Sequence, residues 1–498
     1  MRARSPARRA AQIKDGSRKG NILAEEIGPS DEMARWFVRE GSRLVVQKKR
    51  SGETKDGPKR SFAGRLLVEI SSIFLPVGYP SSVRAEYLRF QTFDTLQAAC
   101  SYLRNIITTA ALLRGAGVGQ GDAAPLAAAV AWVLRDGLGM LGSLLFSYVV
   151  GSGFDRNVKE WRLFADVIND VGLTLDMIAP LAGRGSGFTV VAALGAACKS
   201  VCGLVAGACR ASITAHFALR ANLADVSAKE NAQETAVSLL FMLLGTLIAQ
   251  RLDESQLTCW VAFLTLTTVH VWANWLGVGS LALVTINCQR ATILCRAWWA
   301  CMPLSAMNDV PICQLTPKTV ANHERPWGPL MFWLTGPRLG VQLHELLDQD
   351  AADGGWAELS ELCALYIGED YILRCRNGVP CIALCVGATG ATLLKAMLHC
   401  SLLISFQRSS CGQRWVPIGP RRVPPTLPAP AAHRPPFAVG MSEHEAGALR
   451  ESLAAVQREW PKFADAVLAT GWAECAVRLD CAGGTRIRVD HAAEGEGL

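Results

Sequence analysis

The side chains with the greatest potential for chemistry stand between long apolar runs. Six of them form the candidate ligand site: Arg135, Asp136, Asp166, Asp170, Asp225 and Lys229. On a helix, residues four positions apart share one face. By the same spacing, Asp225 can form an ordinary salt bridge with Lys229. Adjacent residues point about 100° apart, so we expect Arg135 and Asp136 to pair with other members of the set and not with each other.

Charges of this kind indicate a functional cavity if the region lies at membrane depth, because lipid is a poor solvent for them. A cavity with both signs of charge could bind a small anionic metabolite, as a carrier does. The residues by themselves leave the cofactor unknown.

Most motifs of enzyme and metal sites are missing from the sequence. Gly137-Leu-Gly139-Met-Leu-Gly142 matches G-x-G-x-x-G, but a dinucleotide turn needs a strand before it, and an Ala-rich helical segment stands there. Close helix packing through small residues is the better prediction. No P-loop, H-E-x-x-H or G-x-S-x-G occurs, and the 17 cysteines include no C-x-x-C, so neither a catalytic residue nor a metal site is predicted. Cysteines inside apolar runs, such as Cys209 and Cys259, are predicted to be free thiols.

Composition and hydropathy predict a mainly helical, membrane-associated bundle. Charged residues make up 19% of the chain, below the roughly 25% of soluble proteins. The stretch from Ser255 to Gln289 holds no Asp, Glu, Lys or Arg and is longer than the ~17–25 residues of a spanning helix. It could cross a bilayer once, or turn at Gly277 and Gly279 and re-enter. A central helix of a large soluble bundle is the alternative.

Basic residues are concentrated in the first part of the chain. Residues 1–65 hold 17 Lys/Arg against 8 Asp/Glu, and few apolar runs, so this arm is predicted to be disordered. It could be an organelle-targeting segment, a solvated tail or a nucleic-acid-binding arm. Since no aromatic residue stands among its charges before Trp36, we expect no nucleic-acid partner.

Further elements are predicted on either side of the apolar region. Residues 91–114 read as one helix with Gly115 as its stop. Strands over 370–376 and 379–386, joined by an Asn-Gly turn, precede a helix that Thr389 caps. A final strand over 476–480 is predicted to pair with 485–489. The predicted boundaries are 1–65 for the arm, 66–300 for the helical domain, 301–365 for a connecting region, 366–407 for a small β-β-α unit, 408–440 for a Pro-rich linker and 441–498 for a C-terminal helix and strands.

Several separate motifs share one family resemblance. They are Phe74-Leu-Pro-Val-Gly-Tyr-Pro80, Arg135-Asp-Gly137, Trp161-Arg-Leu-Phe-Ala-Asp166 with Asn169-Asp170, Asn222-Leu-Ala-Asp225 with Lys229-Glu230 and Gln233-Glu234, and His270-Val-Trp-Ala-Asn-Trp275 followed by Thr285-Ile-Asn287 and Arg290. In this order they resemble the ROOT UV-B SENSITIVE (RUS) family. The likeness covers residues 66–300, and the β-β-α region more loosely. Departures occur at Ser143, Leu276 and Gly279, where the family pattern has basic residues, so an anionic ligand or lipid head group bound there would be held less well.

The resemblance implies a role in vitamin B6 homeostasis and in UV-B, stress or auxin-related responses, with no catalytic residue to carry over. It also implies a membrane in an intracellular organelle, with the plastid as one candidate. We therefore expect a non-enzymatic membrane factor that acts through protein partners, another RUS family member among them. One alternative is a carrier for a small anionic metabolite. The other is an enzyme dependent on pyridoxal phosphate, the cofactor that the vitamin B6 link implies, with Lys229 as the residue that would form its Schiff base.

Overall fold

The computed structural model falls into two compact units, Met1–Val83 and Arg84–Leu498. The structure describes residues 21–27, 33–40, 43–50, 69–117, 125–150, 153–183, 185–252, 255–301, 315–325, 337–347, 355–376, 379–410, 443–472, 477–479 and 486–487. Residues 411–440 of the predicted linker, which was placed at 408–440, lie outside the described residues.

The first unit contains a three-stranded antiparallel sheet where a disordered arm was predicted. Its strands are β1 (Asn21–Ile27), β2 (Met33–Glu40) and β3 (Arg43–Arg50), in the order β1-β2-β3. The prediction is wrong over these residues because it averaged charge over the whole arm. That average hid two short β-favouring runs, Trp36-Phe-Val38 and Leu44-Val-Val46, which pair with each other across the hairpin.

Six long helices follow among the described residues of the second unit. They are α1 (Tyr87–Gly115), α2 (Pro125–Val150), α3 (Val158–Ile178), α4 (Ser186–Phe217), α5 (Leu223–Leu252) and α6 (Gln256–Ser280). A 3₁₀ turn, Ala179–Ala182, separates α3 from α4. The first helix extends through Gly115, and the left-handed residue after it is Gly117 (φ 82°), so the predicted stop at Gly115 is two residues early.

The six helices alternate in direction along the chain. We call the end where α1, α3 and α5 begin the junction end, and the opposite end the distal end. Three pairs of helices are parallel: α1 with α3 (Asp94 near Arg162, Arg104 near Asp170), α1 with α5 (Gln91 near Glu230, Ile106 near Gly245) and α2 with α4 (Trp132 near Ala192, Gly139 near Ala196). Two pairs are antiparallel: α1 with α6 (Gln97 near His270, Ile107 near Cys259) and α3 with α4 (Asp155 near Ser212, Gly172 near Gly195).

Small residues bring α2 and α4 close together, as predicted for the glycine-rich motif. A Cβ on Gly139 would lie 3.1 Å from the backbone of Ala196, and one on Gly142 would lie 3.0 Å from the Cβ of Ala197. Gly137, in contrast, faces open space. The motif is therefore a helix-packing surface inside a continuous helix, and residues 125–136 directly before it are helical.

Four of the helices are long and apolar enough to cross a membrane. The qualifying segments are Trp132–Val150, Ser186–Phe217, Leu223–Ile248 and Gln256–Ser280. The last one continues through Gly277 and Gly279 and ends at Ser280, so the chain does not turn back at these two glycines. Helices α1 and α3 carry more charge and lie against these four.

The C-terminal part is an α+β unit with its own hydrophobic core. It contains α7 (Cys288–Cys301), α8 (Pro317–Ala321), β4 (Arg338–Leu339), α9 (Trp356–Leu365), β5 (Tyr371–Arg376), β6 (Val379–Leu384), α10 (Gly390–Ser410) and α11 (Glu443–Ala469). The sheet order is β4-β6-β5, with β5 antiparallel to β6. This arrangement confirms the predicted β-β-α unit, and the hydroxyl of Thr389 accepts a hydrogen bond from the backbone N–H of Thr392 at the start of α10.

The predicted pairing of the last two strands is wrong. Val477 bridges to Ile286, and Ile487 bridges to Cys385, so each segment extends a different edge of the C-terminal unit. Alternation of apolar and polar residues identifies extended segments, but it does not show which segment each one pairs with. In the structure, neither segment pairs with the one nearest to it in the chain.

Candidate functional site

A chain of buried polar side chains passes between α1, α3 and α6; we call it the central network. Helix α1 contributes Asp94, Gln97 and Arg104, at spacings that keep them on one face. Helix α3 contributes Arg162, Asp166 and Asp170, each four residues after the last. His270 completes the network from α6 and is fully buried.

The network begins near the junction end with Arg162. Its Nη2 donates to Asp94 Oδ1 at 3.0 Å and to Gln97 Oε1 at 2.9 Å, and its Nη1 donates to Asp166 Oδ2 at 2.6 Å. Gln97 Nε2 then donates to Asp166 Oδ1 at 2.6 Å. Asp94 is 37% exposed, whereas Asp166 is only 7% exposed, so the network leads inward from the bundle surface.

His270 links the two halves of the network. Its Nε2 lies 3.2 Å from Gln97 Nε2, and its Nδ1 lies 3.2 Å from Asp170 Oδ2. The Gln97 amide nitrogen can only donate, and its oxygen is occupied by Arg162, so His270 Nε2 must accept. The imidazole is therefore assigned as neutral with its proton on Nδ1, donating to Asp170.

Arg104 and Asp170 close the inner end. Arg104 Nη1 donates to Asp170 Oδ1 at 2.5 Å and to Thr267 Oγ1 at 3.3 Å, and the arginine is fully buried. Two arginines thus balance the two buried carboxylates of the network, while the third, Asp94, reaches water. This ion pair and its neighbours hold three helices in one arrangement, and breaking the pair would leave a buried charge alone.

A second polar cluster lies nearer the distal end. Asp176 of α3 pairs with Lys199 of α4. Arg135 donates from Nε to Asp136 Oδ1 at 3.1 Å, and its guanidinium lies 4.2 Å from the centre of the Trp132 ring. The prediction that Arg135 and Asp136 cannot pair is wrong, because the long arginine side chain reaches around the helix although the two Cβ atoms point about 100° apart.

The structure brings together some members of the predicted set. Asp166 and Asp170 belong to the central network, bridged by Gln97 and His270. Arg135 and Asp136 belong to α2 and pair with each other. The remaining two, Asp225 and Lys229, are half-buried in the first two turns of α5.

Sequence reasoning on the site omitted five members of the network. They are Asp94, Gln97, Arg104, Arg162 and His270. Two signals were available: the unbroken i, i+4 row of Arg162, Asp166 and Asp170, and the fact that Arg162 and His270 belong to the family motifs. Nothing in the sequence identified α1 as the partner helix, since contacts between distant segments depend on tertiary packing.

A third group of charges joins the bundle to the C-terminal unit, outside the four segments that qualify as membrane spans. Glu324 pairs with both Lys159 at the start of α3 and Arg290 of α7, and all three side chains are at most 2% exposed. Beside them, both carboxylate oxygens of Glu160 are buried without a hydrogen-bond partner among the described residues. Burial raises the pKa of Glu160 to about 7, although the nearby Arg290 lowers it in part.

A serine, a histidine and a tyrosine are hydrogen-bonded in the C-terminal core. His399 Nε2 lies 2.9 Å from Ser452 Oγ, and its Nδ1 lies 3.1 Å from the Tyr371 hydroxyl. The order resembles a catalytic triad, but all three residues are 0% exposed, so no substrate reaches the serine. Burial lowers the pKa of His399 to about 3, which keeps the ring neutral. These bonds satisfy buried polar groups in the core.

Comparison with known proteins identifies the family to which this chain is related. The domain described as "Vitamin B6 photo-protection and homoeostasis domain" matches residues 61–301. "Protein root UVB sensitive 3" of Arabidopsis thaliana is 35% identical over 357 residues, which cover 69% of this chain and 78% of that protein. The chain belongs to the RUS family. "RUS family member 1" of Dictyostelium discoideum is 40% identical over 227 residues, covering 45% of this chain and 43% of that protein.

RUS membership confirms the resemblance seen in the motifs, and the matched domain nearly coincides with the predicted helical domain. A third relative, "Protein root UVB sensitive 2, chloroplastic" of Arabidopsis thaliana, is 33% identical over 221 residues, covering 44% of this chain and 50% of that protein. No solved structure matches. The central network lies wholly inside the RUS domain, where the motif residues Arg162, Asp166, Asp170 and His270 meet.

Proposed function

We propose that this RUS protein is an integral membrane protein with the bundle α1–α6 in the bilayer. The observation that carries the proposal is the distribution of polarity. Arg104 and His270 inside the bundle are fully buried, whereas Tyr148 and Leu257 on the outside are 90% and 73% exposed. Apolar surface on this scale costs about 25 cal/mol per Å² in water but nothing in lipid, and internally paired charges suit a membrane interior.

Within that membrane, the protein acts in vitamin B6 homeostasis without catalysing a reaction, through protein partners. The domain description supports the process, and the paired state of the central network supports a structural role for its charges. Another RUS family member is a candidate partner, and UV-B, stress or auxin-related signalling is the expected downstream process. The chloroplastic relative supports an organelle membrane, with the plastid as a candidate.

Membrane integration and topology provide the first test. The protein should resist carbonate extraction and require detergent for solubility. A protease site inserted after Gly117 at the distal end should be cut from one side of the membrane, and a site after Leu219 at the junction end from the other. A chain that is monodisperse without detergent, or cleavage of both sites from the same side, contradicts the proposal.

The biological role is tested in cells that lack the protein. Levels of the B6 vitamers should shift and be restored by the wild-type chain, and affinity capture from membranes should recover a specific protein. The exposed substitution Arg89→Met is the control that should restore function fully. Turnover of a B6 vitamer by the purified protein, in the absence of any partner, would overturn the non-enzymatic role.

A carrier for a small anionic metabolite is the second candidate. Charged groups in the central network and in the second polar cluster, near the distal end, favour this function. Polar residues enclosed by membrane helices commonly mark a substrate path. Uptake of a phosphorylated vitamer into vesicles should then fall in Arg135→Ala and Lys229→Ala. Uptake that is equal in wild type, both variants and empty vesicles excludes the carrier.

A further inference from the structure

A groove of about 280 Å³ opens in the C-terminal α+β unit, away from the bundle. It lies where α9 ends, β5 begins and the chain leaves β6. Its apolar walls include Tyr366, Ile372, Val386 and Ile487. The volume is close to the lower limit of small-molecule sites, about 300 Å³, so the groove would admit only a small ligand.

The groove carries one negative charge that the described residues do not balance. Two acidic residues line it, Glu369 and Asp370. Glu369 receives bonds of 2.7 and 2.6 Å from Lys395 Nζ and one of 3.0 Å from Gln457, so its charge is neutralised. Asp370 is exposed and has no ion pair within the described part of the chain. Its carboxylate is the charge available to a ligand.

A glycine keeps that carboxylate accessible. A Cβ built on Gly387 would lie 3.4 Å from Asp370 Oδ1, which is ordinary contact distance, so any larger side chain would occupy the space in front of the carboxylate. The φ angle of Gly387 lies outside the left-handed region, so the backbone itself does not require glycine here. The open space, and not the backbone conformation, is what glycine provides.

We propose that this groove binds a small organic monocation whose ammonium group pairs with Asp370 and whose apolar or aromatic body packs on Tyr366, Ile372 and Val386. A charge-assisted hydrogen bond to the carboxylate selects the cation, and the apolar walls select its body. This binding site does not depend on the proposed membrane role, and its test can fail or succeed whatever the outcome of the membrane tests.

The test compares two ligands of nearly equal shape on the full-length protein in detergent. Benzylamine is protonated at neutral pH, whereas benzyl alcohol is uncharged. Ligand-observed NMR should show benzylamine binding in the millimolar range and benzyl alcohol binding at least about 10-fold more weakly, which is the effect of one charge-assisted hydrogen bond.

Three variants complete the design. Asp370→Asn keeps the shape of the side chain and should weaken benzylamine binding about 10-fold, while Gly387→Val should abolish the binding of both ligands. Asp465→Asn, an exposed carboxylate on α11, is the matched control and should leave binding unchanged. The proposal is overturned if benzylamine binding is not detected, if the two ligands bind equally, or if Asp370→Asn binds benzylamine with wild-type affinity.

Discussion

Replacing Arg104 with methionine should destabilise the bundle far more than the loss of one surface charge. Methionine fills much of the same volume but leaves the Asp170 carboxylate without the 2.5 Å bond from Arg104 Nη1. Among the described side chains, His270 then remains as the partner of the Asp170 carboxylate, at 3.2 Å. Leaving a buried charge without its partner costs about 3–5 kcal/mol, which lowers the folding equilibrium constant by a factor of at least about 100.

The second substitution in a double-mutant cycle separates the ion pair from packing. Asp170→Asn alone should also destabilise the bundle, because it leaves Arg104 charged and partly unpaired. In the double variant no charge is buried alone, and the amide oxygen that Asp170→Asn introduces still accepts from His270 Nδ1. The double variant should therefore lie about 1–2 kcal/mol below wild type, with a coupling energy of at least about 2 kcal/mol.

Unfolding in detergent, followed by circular dichroism as denaturant is added, measures these differences. Arg89→Met, an exposed change on the same helix, is the control and should lie within about 0.5 kcal/mol of wild type. If the costs of Arg104→Met and Asp170→Asn simply add, the two side chains are not coupled and the description of the central network is wrong.

Three further predictions concern other parts of the molecule. Gly195→Ala should destabilise the α3–α4 contact, since its Cβ would lie 2.6 Å from Asp176 Oδ1, whereas Gly203→Ala, which meets nothing within 4 Å, should leave detergent resistance unchanged. Glu160→Gln should stabilise the protein above pH 7 by about 3 kcal/mol in the same unfolding assay. The raised pKa of the glutamate means that stability is lost as pH rises from 4.5 through about 7, and glutamine removes this loss. The lowered pKa of His399 makes stability fall as pH falls from 6.5 to about 3, by up to about 1.4 kcal/mol per pH unit. His399→Gln should remove this pH dependence of stability. An unchanged pH profile would show that His399 is not held neutral.

The sequence predicted most of the elements of this fold but few of the contacts between them. The helical class and the antiparallel pairing of β5 with β6 followed from local sequence patterns, and the structure confirms them. The sheet in residues 21–50 was missed because charge was averaged over a long window. The partners of the last strands were missed because they are distant in the chain.

At the candidate site, too, the sequence predicted some of the residues but not the contacts between them. Asp166 and Asp170 were identified because charged residues between apolar runs are visible in one sequence. Their partners on α1 and α6 are 66 to 100 residues away in the chain, and no local rule connects them. The pairing of Arg135 with Asp136 was missed for a different reason, since the spacing rule describes Cβ directions and ignores the reach of a long side chain.

The charge carried by α3 has a consequence for how the protein is made. Its 21 residues include six charged ones, and each charged residue near the centre of an inserting helix costs about 2.5–3.5 kcal/mol. If the bundle lies in the bilayer, as proposed, this helix must be sheltered by its neighbours until its charges are paired. His270 is on the last of the six helices, so a chain that ends before residue 270 leaves Asp170 and Gln97 without their shared partner.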